Sequence, residues 1–134
     1  MHITDFSLDF FSLEGKRAIV TGGNTGLGQG FALALAKAGA DIYVPGLYAD
    51  GGETAELVRA EGRRYEELAI DITEPGAPAA AVASCVETLG GVDILVNSAG
   101  ISRIADVTEF GRAQWDPMVA VNLTAAFEMA HESA

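Results

Sequence analysis

Apolar positions along the chain alternate between two patterns. Compact apolar runs, such as Ala18-Ile19-Val20, are separated by longer stretches in which apolar residues recur every three or four positions. The compact runs predict strands at 16–21, 40–44 and 92–96, and Leu68 and Ile70 mark a further strand at 66–71. The run at 92–96 is continuous and apolar, as expected in the middle of a parallel sheet. The longer stretches predict helices at 27–38, 53–60 and 77–89. The first of these places Leu27, Phe31, Ala34, Leu35 and Ala38 on one stripe. Breakers sit where the pattern changes: Gly39, Pro45-Gly46, Gly62 and Gly90-Gly91. Strand and helix alternate with short connections, which predicts an α/β fold, a doubly wound parallel sheet with right-handed crossovers.

The two ends behave differently. Residues 1–14 form an N-terminal arm whose Phe6, Phe10 and Phe11 are expected to pack against something. Near the other end, Asp116-Pro117 has the form of an N-cap followed by a first-turn proline and predicts a helix start. That helix carries Met118, Val119, Val121, Leu123, Phe127 and Met129, too many apolar positions for one narrow stripe. One face can cover the sheet, and the other calls for another subunit or the remainder of a domain.

Between the first strand and first helix lies Thr21-Gly22-Gly23-Asn24-Thr25-Gly26-Leu27-Gly28. Strand, glycine turn and helix is the order that a dinucleotide site requires. Glycines let the backbone turn sharply and approach a pyrophosphate, and the helix start offers free N–H groups to that anion. No Gly-Lys-Ser/Thr follows, so this is not the phosphate loop of nucleoside triphosphatases.

Composition narrows the class of partner. The 134 residues suit one domain, and 49% are hydrophobic, enough for a packed core. A formal net charge of −11 argues against nucleic acid and anionic membrane as partners. No stretch approaches the ~20 apolar residues of a membrane span, and no signal-peptide pattern opens the chain. The single cysteine, Cys85, is read as a small packed residue rather than a nucleophile, and suits a reducing, cytoplasmic setting. His2 and His131 have no metal-pair spacing and are read as surface residues, so no metal is expected.

Several motifs in order resemble those of the short-chain dehydrogenase/reductase family. Residues 21–28 match its Thr-Gly-x-x-x-Gly-x-Gly. Asp71-Ile72 follows the third strand. Asn97-Ser98-Ala99-Gly100 resembles an Asn-Asn-Ala-Gly motif, with Ser98 as a departure. Trp115-Asp116 and Val121-Asn122 match the next helix. A narrower likeness, to 2-dehydro-3-deoxy-D-gluconate 5-dehydrogenases and related sugar-acid reductases, rests on residues 11–16, on Thr25, Gln29 and Gly30, and on Glu61-Gly62-Arg63-Arg64.

The resemblance implies a Rossmann-like fold and an NAD(P)-dependent oxidoreductase that interconverts a hydroxy and a keto group on a sugar acid. It implies cofactor contacts at Gly22, Asn24, Thr25, Gly26, Leu27, Gly28, Asp71, Ile72, Asn97, Ala99 and Gly100. Asn24 and Thr25 would donate to phosphate or ribose oxygens, and Asp71 would accept from the adenine amino group or simply end a solvated strand. Asn97 and Gly100 would shape the pocket floor or only form a turn. Asn122 matches the family's catalytic asparagine, and would either support a proton relay or tie down the sheet as a buried amide. Arg103 is either a partner for a substrate carboxylate or a surface arginine.

The cofactor is expected to be NAD, with NADP left open. No basic residue occurs in 21–30 or between Lys37 and Arg59 to meet a 2′-phosphate. The acid expected at the end of the second strand is also missing, since Gly46 stands there, with Asp50 as a possible substitute. The family's Tyr-x-x-x-Lys pair is absent: four positions after Tyr43, Tyr48 and Tyr65 come Leu47, Gly52 and Ala69. Residues 1–134 are therefore read as one truncated dinucleotide-binding domain, the cofactor half of an enzyme. It is expected to self-associate as a homo-oligomer and to be inactive alone. The alternative is a nucleotide-binding or interaction module that does not catalyse.

Overall fold

The computed structural model describes residues 2–5 and 7–134; Phe6 of the arm lies outside them. The elements run β1 (Arg17–Val20), α1 (Gly26–Lys37), β2 (Asp41–Gly46), α2 (Glu53–Ala60), β3 (Tyr65–Ala69), α3 (Ala77–Leu89), β4 (Ile94–Val96), α4 (Arg112–Val119) and α5 (Ala126–Ser133). Two short 3-10 turns precede them, and a π-helical turn, Ala120–Ala125, joins α4 to α5. The four strands form a parallel sheet in the order β3-β2-β1-β4, with Ala18 of β1 opposite both Ile42 and Ile94. This is the Rossmann-like arrangement.

Strand alternation divides the core. Ala18, Val20, Ile42 and Val44 face one side, where they meet Ala32 and Ala36 of α1 and Val58 of α2. Ile19 and Tyr43 face the other and meet Ala81, Cys85 and Leu89 of α3, with Ala125 and Met129 at the α5 end. At the N-terminal end of the sheet, the Asp93 carboxylate takes hydrogen bonds from Arg17 Nε at 2.7 Å and Arg17 N at 2.9 Å. These bonds, side chain first, hold the Asp93 carboxyl at about 2, below its ordinary 3.8.

Four expectations need correction. The buried face of α1 is Gly28, Ala32 and Ala36, not the Leu27–Phe31–Ala34 side; Leu27 is 80% exposed. Small residues face the sheet because the helix lies against the glycine turn, where larger ones would not fit. β2 runs through Pro45 and Gly46 instead of ending before them. The Pro45 carbonyl accepts from Gly22 N on the β1 side, and Val20 O on that side takes Gly23 N, so the proline's missing N–H leaves no carbonyl without a partner. β4 lies at the edge of the four-strand sheet, and its three residues are half-buried. Finally, the helix predicted from Asp116 begins at Arg112. Gly111 N donates to Gln114 Oε1 at 3.0 Å, Asp116 pairs with Arg112 at 2.6 Å, and Pro117 lies inside the helix.

The described residues of the arm stay at the surface. Ile3 and Leu8 are 87% and 80% exposed, and Phe10 and Phe11 are more than half exposed. Leu13 is tied to the sheet layer, packing on the α1 side and donating N–H to Ala38 O at 2.7 Å.

Candidate dinucleotide site

The chain passes from β1 outward to β2 and β3, then crosses back to place β4 on the other side of β1. The loops after β1 and β4 therefore part at their C-terminal ends, the usual place for a ligand crevice in such sheets. A cleft of about 420 Å³ lies there. Its wall carries Gly22, Asn24, Thr25, Gly26, Leu27 and Gly28 from the first turn, Asp71 and Ile72 from the segment after β3, and Ala99 and Gly100 from the segment after β4.

Backbone packing sets the shape of the glycine turn. A Cβ on Gly28 would stand 2.3 Å from the Gly22 carbonyl oxygen, so only glycine lets α1 start this close to the turn. Gly22 has φ +62° and lies against Ala99, where a Cβ would be 3.3 Å from the Ala99 Cα. The Thr25 side chain makes no cap hydrogen bond, and Gln29 N donates to Thr25 O at 3.1 Å. The N–H groups of Gly26, Leu27 and Gly28 thus precede the helical ladder and are suited to an anion. These residues fit the pyrophosphate of a dinucleotide: the twelve-residue helix has no side-chain cap, and glycine stands at 26 and 28 in its first turn.

Thr21, which carried no assigned role in the sequence, links the two halves of the cleft. It is 1% exposed, and its Oγ1 accepts from Ser98 N at 3.1 Å and Ala99 N at 3.0 Å. The segment after β4 is thereby fixed against the glycine turn. Asp71 accepts at one oxygen from Thr73 Oγ1 at 2.6 Å and Thr73 N at 2.9 Å. Those bonds hold its carboxyl below the ordinary carboxylate range, so it is an anion and an acceptor near neutral pH.

Other candidates sit elsewhere. Asn97 donates its amide to Ala126 O at 3.2 Å and is not part of the cleft wall. Asn122 lies in the π-helical turn. Its Oδ1 accepts from Ile101 N and its Nδ2 donates to Ile101 O, both at 2.9 Å. The amide is exposed, so it ties down the segment after β4 and does not act as a buried anchor of the sheet. Arg103 is exposed in the loop beyond Ile101, outside the cleft wall. Asp50 is also absent from that wall. Its carboxylate accepts from Gly52 N at 2.8 Å, Thr54 N at 2.9 Å and the Thr54 hydroxyl, so it caps α2. Desolvation raises the Asp50 carboxyl, but these hydrogen bonds outweigh it and leave it below the ordinary range.

Leu47 and Tyr48 were not foreseen, yet both line the cleft. An apolar pair directly after a strand end is a weak signal that could have found them. Cys85 is fully buried, and burial pushes its thiol up to about 11, which suits packing and not nucleophilic chemistry. Among the described residues no group of His, Cys, Asp and Glu side chains could hold a metal ion, and no helix is long and apolar enough to cross a membrane.

Comparison with known proteins agrees with this geometry. An uncharacterized oxidoreductase, YgcW of Escherichia coli K12, is 57% identical over 129 residues, covering 96% of this chain and 49% of the relative. The 2-dehydro-3-deoxy-D-gluconate 5-dehydrogenase of Dickeya dadantii is 43% identical over 127 residues, covering 95% of this chain and 50% of the relative. The chain thus spans about half the length of the curated relatives it matches. Among solved structures, a candidate 2-deoxy-d-gluconate 3-dehydrogenase from Agrobacterium tumefaciens, with NADP bound, superposes with a TM-score of 0.80 at 43% identity, covering 91% of this chain and 47% of that one. The family model for short chain dehydrogenases matches residues 16–134. The chain belongs to the short-chain dehydrogenase family.

Proposed function

We propose that this chain is the cofactor-holding part of an NAD(P)-dependent oxidoreductase that interconverts a hydroxy and a keto group on a sugar acid, with NAD as its cofactor. One observation carries the reading: the uncapped start of α1 and the glycine turn share a single cleft with Asp71, Ala99 and Gly100. In it, Gly22, Gly26 and Gly28 admit the pyrophosphate, and the N–H groups of 26–28 neutralise it. Asp71 accepts from the adenine amino group through the oxygen that Thr73 leaves open. When bound, the nicotinamide supplies hydride transfer. Asn122 shapes the nicotinamide side of the cleft by fixing Ile101, and Arg103 is assigned to the substrate carboxylate.

The substrate class is supported by the sugar-acid dehydrogenases among the relatives. If Arg103 has this role, Arg103→Ala in the full-length enzyme raises KM for acidic substrates; an unchanged KM removes it. NAD over NADP is supported by the absence of any lysine or arginine from the cleft wall. The test of the whole reading is calorimetric titration of the chain with NAD+ and NADP+. Binding of NAD+, and weaker binding of NADP+, is expected. No heat with either at millimolar ligand would contradict the dinucleotide reading and favour the non-catalytic interaction module.

A further inference from the structure

Selection between a ribose hydroxyl and a ribose phosphate needs a group near the end of β2, and Gly46 has no side chain to give. The space is not vacant. A Cβ on Gly46 would lie 3.1 Å from Asn24 Oδ1 and 3.4 Å from Asn24 Nδ2, so the Asn24 carboxamide fills the place beside it. Asn24 is 6% exposed and, with Gly46, forms part of the cleft wall.

The orientation of that carboxamide follows from its partner. Asn24 Nδ2 donates to the Tyr48 carbonyl oxygen at 2.5 Å. A carbonyl only accepts, so the amide nitrogen must face Tyr48 and the amide oxygen must face Gly46. The loop after β2 is held a second time, because Gln29 Nε2 donates to Thr54 Oγ1 at 3.0 Å and Thr54 in turn donates to Asp50. Asp50 is thereby committed to α2 and withheld from the cleft. Asn24 Oδ1 is the side-chain acceptor that lies against Gly46 at the end of β2.

We infer that Asn24 reads the adenosine ribose in this chain: its carboxamide oxygen, held by Tyr48 O, accepts a hydrogen bond from the 2′-hydroxyl. The inference rests on the dinucleotide reading above and adds the residue that sets cofactor choice. A hydroxyl donates to that oxygen, whereas a 2′-phosphate brings further acceptors and negative charge against it, with no cation in the wall to offset them. The same geometry makes Asn24 and an acid at position 46 alternatives, since both cannot occupy the space without one giving way.

The experiment measures affinities of the chain for NAD+, its 2′-deoxyadenosine analogue and NADP+, by calorimetry or by amide shifts. A site built around a hydroxyl rejects the analogue that lacks it, so NAD+ binds about tenfold more tightly than the deoxy analogue. Asn24→Ala abolishes that difference, and loosening of the Tyr48 loop lowers the affinity for both ligands alike. The double variant Asn24→Ala/Gly46→Asp restores the discrimination, which a merely structural role for Asn24 would not do. Equal binding of NAD+ and the deoxy analogue by the unaltered chain overturns the inference and leaves the dinucleotide reading standing; this comparison needs no variant to fold. Retained discrimination in Asn24→Ala overturns it as well. Failure of all three ligands to bind overturns the dinucleotide reading and the inference together.

Discussion

The β1–α1–β2 region and the β4–α5 region are both rich in apolar residues, but they end in different states. In the first, Ala18, Ile19, Val20, Ile42 and Val44 are all 0% exposed, covered by α1 and α2 on one face and α3 on the other. In the second, Ile94, Leu95 and Val96 are half-buried, and Trp115, Leu123 and Phe127 are 54%, 65% and 69% exposed. The difference runs through a single helix. Ala125 and Met129 of the α5 side are buried against α3, while Leu123 and Phe127 two residues away face outward. Apolarity states that a face is to be covered; the fold decides whether this chain covers it. The cleft lies between the two regions, and the segment after β4 is steadied by the Thr21 hydroxyl from the closed side and by the Asn122 amide from the open one.

The sharpest way to break the comparison is on that helix. Met129 is fully buried, so Met129→Ala should cost about 2–5 kcal/mol, read from chemical denaturation. Phe127→Ser, on the outward face, should stay within about 0.5 kcal/mol and instead reduce self-association, which we propose for this face and which light scattering would follow. Equal costs for the two variants would mean that the helix buries both sides. On the closed side, Gly28→Ala forces a Cβ into the Gly22 carbonyl and should cost about 1–3 kcal/mol while abolishing dinucleotide binding. An unperturbed melt would show that the turn has slack.

The smallest effect is expected at the Arg17–Asp93 pair, which joins the two regions at the far end of the sheet. The folded Asp93 value lies below the ordinary one, so its contribution is fully present above 3.8 and is lost as the pH falls from there toward about 2. Asp93→Asn should lower stability slightly at neutral pH and flatten the acid limb of the stability curve over that window. An unchanged acid limb would remove the pair from the account.

Local signals made much of the fold legible in the sequence. The bounds of α2 and α3 coincide with expectation because breakers stand close after both helices, Gly62 beyond α2 and Gly90 directly after α3. The glycine turn was legible because its spacing states its chemistry. What could not be read depended on partners distant in sequence. Pro45 continues β2 because of the side its nitrogen faces. Gly111 and Gln114 start α4 ahead of the stronger-looking Asp116-Pro117 pair. The inward face of α1 is its small-residue face because of the contact at Gly28. Leu47 and Tyr48 enter the cleft wall through a loop that Asn24 holds across 24 positions. Asp50 offered itself as a ribose acceptor only until its use as a cap was visible.

The central claim is that the cleft between the glycine turn and the segment after β4 holds a dinucleotide. Amide shifts of the isotopically labelled chain during an NAD+ titration test it most directly. The account predicts saturable changes at residues 22–28, at Asp71 and at Ala99 and Gly100, with the outward face of α5 unmoved. Changes centred on Leu123 and Phe127, or none at the glycine turn at saturating NAD+, would contradict it.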